Sequence, residues 1–305
     1  MRDAFVEQLE ISAENDSELM FLTADLGFGV FQNFEARFPS QYLNVGIAEQ
    51  LMAGVSAGLA LSGKKVVMYS IGNFPTLRCL EQIRNDQAYH DTNVTIVASG
   101  GGFTYGQLGM SHHATEDLAI MRALPGVDVC APGTLFETKE LAKELFARDR
   151  VGYLRIEKFA FSEDQNISFE FGKLRPLLNG QDIAIIAIGG VVSEAMAAAR
   201  ELEKAGVSAS VISCHTLKPF DGASLLEIAS SVRGLVTVEE HSLIGGLASA
   251  VADALITENL NLPIARLGLK DEYCCKVGDQ AYLRKYNGLD FENIAKTALK
   301  LLGEV

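Results

Sequence analysis

Glu49 stands where a short strand turns into a helix, in Asn44-Val45-Gly46-Ile47-Ala48-Glu49-Gln50. Tyr42 to Val45 read as the strand and Gly46 permits a tight turn. The acid then falls in the first helical turn, where the helix dipole favours negative charge. A simple N-terminal charge is one reading. The helix itself opens another, because Ala48, Ala53, Gly54, Ala57, Gly58 and Ala60 give it a small face. Each interior glycine costs roughly 1 kcal/mol relative to alanine. Two of them one turn apart imply a very close neighbour, either the helix's own sheet or another subunit. A carboxylate at the start of so tightly packed a helix suits proton chemistry. His112 and His113 follow Gly109-Met110-Ser111 in a glycine-rich loop after a strand. A lone histidine is more often structural, but the strand ends of parallel sheets are where sites form. His112 is the stronger of the two candidates.

Other chemistries are excluded or weakly signalled. Cys79, Cys130, Cys214, Cys274 and Cys275 form no C-x-x-C pair, and adjacent cysteines rarely bridge each other. Reduced thiols in a cytoplasmic protein are expected. Gly189-Gly190 follows a strand but completes no G-x-G-x-x-G, so no dinucleotide site is expected. The net charge of −13 argues against nucleic acid or an anionic membrane as partner. No run reaches the roughly 18 apolar residues of a membrane span, and the start, Met1-Arg2-Asp3-Ala4-Phe5, has no apolar signal region. A phosphate-bearing ligand would need local arginines or a second subunit to hold its charge.

The elements that position these residues alternate. Runs at 19–23, 65–69, 94–98, 127–130 and 152–156 read as strands; 48–61, 76–89, 115–123 and 135–147 read as helices. Apolar strands alternating with helices imply a parallel sheet covered on both faces. The rhythm breaks over 159–181, which carries Pro176 and Asn179-Gly180 and reads as a linker. It resumes with strands at 183–188, 207–213, 235–239 and 264–269 and helices at 193–205, 225–231, 246–256 and 294–302. At 305 residues the chain accommodates two doubly wound α/β domains in series, at 1–158 and 182–305.

At this point the ordered motifs resemble a known group. Gly46-Ile47-Ala48-Glu49-Gln50, Phe74-x-x-x-Arg78-x-x-Glu81-Gln82-Ile83-Arg84 and Gly109-Met110-Ser111-His112-His113 occur in the same order in transketolases and deoxyxylulose-phosphate synthases. Glu116-Asp117, Pro125-Gly126, Pro132, Tyr153-Leu154-Arg155, His215-Thr216-Leu217-Lys218-Pro219-Phe220-Asp221 and Glu239-Glu240-His241 continue the match. The chain looks most like the C-terminal section of a transketolase made as a separate subunit: a pyrimidine-binding domain, then the transketolase C-terminal domain.

The resemblance implies thiamine diphosphate as cofactor and transfer of a two-carbon ketol unit from a ketose to an aldose. Glu49 would bond the aminopyrimidine N1′ and Phe74 would stack on that ring, with Ile71 where relatives often carry a second aromatic. Asp25, in Thr23-Ala24-Asp25-Leu26, matches a strand-end acid near the cofactor. His112 would face the reacting carbonyl, and Arg155 and Arg2 match substrate-contacting arginines; as a charged residue Arg155 could equally lie free on the surface, and for Arg2 the surface is the stronger reading. His215 and His241 fall in the C-terminal domain, away from the chemistry.

Two departures carry weight. Relatives place a histidine near Gly100 and an aspartate near Leu108 in the substrate loop, and both are absent here, which implies a changed sugar or sugar-phosphate substrate. The Gly-Asp-Gly…Asn motif that holds Mg²⁺ and diphosphate is also missing, since Gly278-Asp279 is followed by Gln280. A partner subunit would therefore bind both, and the implied assembly is an α2β2 heterotetramer with active sites between subunits. The Arg78, Glu81-Gln82 and His112 pattern favours this group over the β chain of a 2-oxoacid dehydrogenase, while a deoxyxylulose-phosphate-synthase-like reaction on the same scaffold stays an alternative. A noncatalytic regulatory subunit is the reading that the bare positions at Gly100 and Leu108 keep open.

Overall fold

The computed structural model describes all residues except Phe28, Phe159, residues 163–167, Asn259 and Val305. Part of the stretch expected as a linker thus lies outside the described residues. The first half contains α1 (Arg2–Asn15), β1 (Leu19–Thr23), α2 (Gln32–Arg37), β2 (Tyr42–Asn44), α3 (Glu49–Leu61) and β3 (Lys65–Ile71). It continues through α4 (Leu80–Gln82), β4 (Val94–Ser99), α5 (Asp117–Ala123), β5 (Asp128–Cys130), α6 (Leu135–Ala147) and β6 (Gly152–Ile156). The second half holds β7 (Arg175–Leu178), β8 (Ile183–Ile188), α7 (Val192–Lys204), β9 (Ala209–Ser213), β10 (Thr216–Lys218) and α8 (Gly222–Ser231). It ends with β11 (Leu235–Ser242), α9 (Leu247–Thr257), β12 (Ile264–Leu269), α10 (Gln280–Tyr286) and α11 (Phe291–Leu302).

Two mainly parallel sheets result, in the orders β10-β5-β6-β4-β3-β1-β2 and β12-β11-β8-β9-β7. Their central strands are buried from end to end, as in Val94–Ser99 and Ile183–Ile188. Burial on both faces is why these segments read as continuous apolar runs rather than alternating ones. One apolar cluster packs α1 and α6 on the outer face of the first sheet, around Phe5, Leu9, Leu141 and Leu145. Another joins the halves, with Met52, Ile96 and Met121 sharing a core with Ile186, Leu217 and Leu255.

The structure departs from the sequence expectation in several places, among them the unexpected helices α2 and α10. Arg175–Leu178, expected within the linker, is a strand antiparallel to β9. Pro176 disguised it, yet proline is tolerated on an edge strand, where one side needs no ladder donor. Thr216–Lys218, for which no strand is expected, leaves the second half and pairs antiparallel with β5, closing the edge of the first sheet. The helix expected over 76–89 is instead a 3-10 turn at Leu77–Cys79, a single α turn, and a π-helix at Ile83–Ala88. In that widened turn Gln87 is buried and donates from Nε2 to the Ala53 carbonyl of α3 at 3.0 Å.

Candidate active site

The candidate residues collect at the C-terminal ends of the parallel strands, where open α/β sheets form their clefts. The turn after β2 delivers Glu49. Asn44 shapes it, its Oδ1 accepting from Gly46 N at 3.0 Å and from Asp25 N at 2.9 Å, while its Nδ2 reaches Asp25 Oδ1 at 3.3 Å. Asp25 has a left-handed backbone, φ 53°, and Asn44 stabilises that turn. Asp25 lines a separate shallow hollow of about 220 Å³ with Phe31 and Glu35.

Glu49 is 3% exposed, and its Oε2 accepts from Arg78 Nη1 at 2.8 Å. The same guanidinium lies over the Phe74 ring, 4.4 Å from its centroid. Phe74 in turn meets the His112 ring edge-on, with centroids 5.4 Å apart. The structure therefore links Glu49, Arg78, Phe74 and His112 in that order through consecutive contacts. Ile71 ends the strand that leads to Phe74. Burial pushes the nearby Cys79 thiol up to about 12, and the Glu49 charge adds to the shift, so this sulfur is inert at neutral pH.

The His112 turn is held from both sides. Asn73 Nδ2 donates to the His113 carbonyl at 2.6 Å, and Ser111 Oγ lies 3.0 Å from His112 Nδ1. Gly72 passes so close to this turn that a side chain there would sit 3.1 Å from the Ala114 methyl. His113 points inward, buried against Phe103 at 5.0 Å between centroids, and burial lowers its pKa, keeping it neutral.

Arg155 corrects the expectation. It is not a surface charge: its side chain is 1% exposed inside the domain junction, where both terminal nitrogens are bonded and Nε is buried without a hydrogen-bond partner. It donates to Asp117 and Glu157 at 3.4 Å and to the Glu240 carbonyl at 3.0 Å. Arg2 is half-exposed and pairs with Asp3 at 3.3 Å. It borders a cavity of about 420 Å³ with Ser99, Thr104, Tyr105, Glu157 and Lys158. Sequence reasoning missed Lys158, three residues beyond Arg155 at the same strand end, and it missed Tyr105. A side-chain carbon at Gly100 would lie 2.2 Å from the Tyr105 ring, so that ring takes the space any side chain at Gly100 would enter.

Residues 1–161 match the family model of the transketolase pyrimidine-binding domain, and residues 172–294 that of the transketolase C-terminal domain. The chain belongs to the transketolase family. A putative transketolase C-terminal section of Methanocaldococcus jannaschii is 38% identical, covering 98% of this chain and 95% of that one. One of the separate subunits of an apulose-4-phosphate transketolase of Phocaeicola vulgatus is 36% identical, over 99% of this chain and 97% of its own length. Among solved structures, a split-gene transketolase described as an inactive β4 tetramer superposes with a TM-score of 0.90. It is 34% identical and covers 99% of this chain and 98% of its own. Members of the transketolase family depend on thiamine diphosphate, and the pyrimidine-binding domain of this one carries Glu49, Phe74 and His112. Among the described residues of this transketolase-family chain no helix is long and apolar enough to cross a membrane. No group of three or more metal-ligating side chains occurs among them either.

Proposed function

We propose that this chain is the pyrimidine-side subunit of a split transketolase, moving a two-carbon ketol unit between a ketose and an aldose. One observation carries the reading: Glu49 and Phe74 already share a single planar, N–H-bearing group. The Arg78 guanidinium stacks on the ring at 4.4 Å while donating to the carboxylate at 2.8 Å. An aminopyrimidine would need the same aromatic face and the same acceptor, so the residues present fit thiamine diphosphate. When bound, the cofactor supplies the nucleophilic carbon that takes up the ketol unit. Glu49 would hold and orient a proton for such a ring, and Arg78, 47% exposed, is the group that would have to yield both contacts to it. Ser111 Oγ lies 3.0 Å from His112 Nδ1, and in the tautomer in which the hydroxyl donates there, Nε2 would carry the proton offered to a developing oxyanion. Arg2, Lys158 and the hydroxyls of Ser99, Thr104 and Tyr105 would receive the far end of a hydroxylated, anionic substrate.

Diphosphate and Mg²⁺ we assign to a partner subunit in a cytoplasmic α2β2 assembly. Support comes from α3. The helix packs on its own sheet through Met52, Ala53 and Ala57, but a side chain at Gly54 or Gly58 would meet nothing within 4 Å, so the glycine face is not the one its sheet covers. Leu51 and Leu61 on the helix and Ile47 just before it are exposed as well. Such a face fits a helix from another subunit. Replacement of the expected histidine and aspartate suggests that the ketose differs from xylulose 5-phosphate, as the name of the Phocaeicola relative illustrates.

The test is co-purification with a diphosphate-binding subunit followed by a screen of ketoses and ketose phosphates with and without thiamine diphosphate. Cofactor-dependent transfer that is lost in Glu49→Gln is expected. Absence of thiamine-dependent turnover across the screen would overturn the reading.

A further inference from the structure

The loop that leaves β4 toward His112 does not stay with its own domain. Phe103 is fully buried in the apolar cluster of the second sheet, beside Val191, Val238 and Leu283. Its backbone N–H donates to Oε1 of Glu240, a buried carboxylate on β11. Glu240 is itself fixed from α10: Gln280 Nε2 donates to Oε1 at 2.9 Å and to Oε2 at 3.2 Å, and Arg284 Nε donates to Oε2. The loop threads this contact with no slack. A side-chain carbon at Gly102 would lie 2.3 Å from Glu240 Oε1, and one at Gly106 would lie 2.3 Å from Leu283 and 2.7 Å from the Gly278 carbonyl.

The anchor leads back to the candidate site by backbone. Gly102 and Ala114 form an antiparallel bridge, with N···O distances of 2.8 and 3.0 Å, and the Phe103 ring abuts that of His113. His112 is two residues from Ala114. From this geometry we propose that Glu240, seated by Gln280 and Arg284, is a positioning residue: through Phe103 and Gly102 the C-terminal domain sets the place of the His112 turn. The catalytic consequence rests on the functional reading above. The anchoring itself does not.

Displacement of this carboxylate would free the loop first and leave the sheets intact, because β8 and β9 make their ladders without it. Losing a buried charge-assisted hydrogen bond shifts a local opening equilibrium by roughly tenfold or more. The full chain should therefore be compared with Glu240→Ala, Glu240→Gln and Gln280→Leu; the last removes the two N–H donors with little change in volume and covers the case in which Glu240→Ala does not fold. Amide hydrogen exchange over residues 100–114 is followed, with β8 and β9 as internal controls. The His112 ring resonance, assigned with His112→Asn, gives a second readout. Glu240→Ala and Gln280→Leu are expected to speed exchange over 100–114 by about tenfold beyond any acceleration of the control strands, and to move the His112 resonance. Glu240→Gln keeps an oxygen for the Phe103 N–H and should restore protection to within about threefold. Equal acceleration in β8 and β9, or an unmoved His112 resonance, would overturn the proposal. Neither measurement needs turnover, so a failed donor screen would sink the functional reading without touching this one.

Discussion

The chain uses the same pair of groups, a buried carboxylate and an arginine, in two regions to opposite ends. At the strand ends, Glu49 has one ion-pair partner among the described residues, and that partner is 47% exposed. At the domain junction, Glu157 and Glu240 face Arg155 and Arg284, whose side chains are 1% and 7% exposed, with Gln280, Gly190 N and Phe103 N completing the shell. An ion pair with one water-facing member costs little to open. A pair closed on every side cannot be opened without stranding a charge. The first arrangement suits a place that must exchange one cation for a ligand, and the second suits a fixed joint. The following tests are ranked by expected effect.

Glu49→Gln should separate the two regions most sharply. Loss of a positioned proton group typically costs about 10²–10⁴-fold in rate, whereas an ion pair with one exposed partner contributes about 0–1 kcal/mol to stability. Turnover of the assembled enzyme should fall by that factor while the denaturant midpoint of the chain barely moves. A large loss of stability would place Glu49 with the structural carboxylates. Arg284→Met should do the reverse. Removing one member of a buried pair costs about 3–5 kcal/mol because the partner charge stays behind, here on both Glu157 and Glu240. Urea unfolding measures it, and a change under about 1 kcal/mol would show the junction to be open to water.

Gly58→Leu tests whether the open face of α3 belongs to assembly. There is free space at Gly58, so relief of glycine's helix penalty should stabilise the isolated chain by roughly 0.5–1 kcal/mol. The bulk should weaken subunit association by at least about tenfold, as sedimentation would show. Intact assembly would remove the helix from the interface. A smaller effect concerns pH. Burial, reinforced by the Glu240 charge, raises the Glu157 pKa above its ordinary 4.5. The folded chain thus holds this proton more tightly than the unfolded one. The associated stability is complete below 4.5 and is lost as pH rises through the raised folded value. Glu157→Gln should flatten that part of the pH–stability curve, and an unchanged curve would assign the slope elsewhere.

The two regions also differ in how far the sequence announces them. Strands such as β4 and β8 are continuous apolar runs, and Glu49, Phe74 and His112 each sit in a short motif, so their meeting at the strand ends was legible. The junction was not. Arg155 finds Asp117 from 38 residues away and the Glu240 carbonyl from 85, separations that leave no local pattern, and so it read as a substrate-contacting or surface charge. Tyr105 filling the space over Gly100 is hidden for a related reason, since a ring's direction is set by the loop path and not by spacing. β10 is three residues long and gains its partner only when the second half folds back on the first.

Arg78→Met carries the smallest effect and the finest distinction. The guanidinium makes one 2.8 Å pair with Glu49 and one contact with the Phe74 ring, and it stays 47% exposed. An exposed pair and an exposed cation–π contact contribute about 0–1 and 0.5–1 kcal/mol respectively, and ordering a long side chain offsets part of that. Stability should therefore change by no more than about 1 kcal/mol. If the side chain competes with the aminopyrimidine for these two contacts, the same energy returns to the ligand. Thiamine diphosphate should then bind the assembled enzyme up to about fivefold more tightly, as calorimetric titration would show. Weaker binding would mean that Arg78 holds the cofactor instead of holding its place. The Glu49 pair would then be the resting form of a working contact, and the strand-end site would be less replaceable than its exposure suggests.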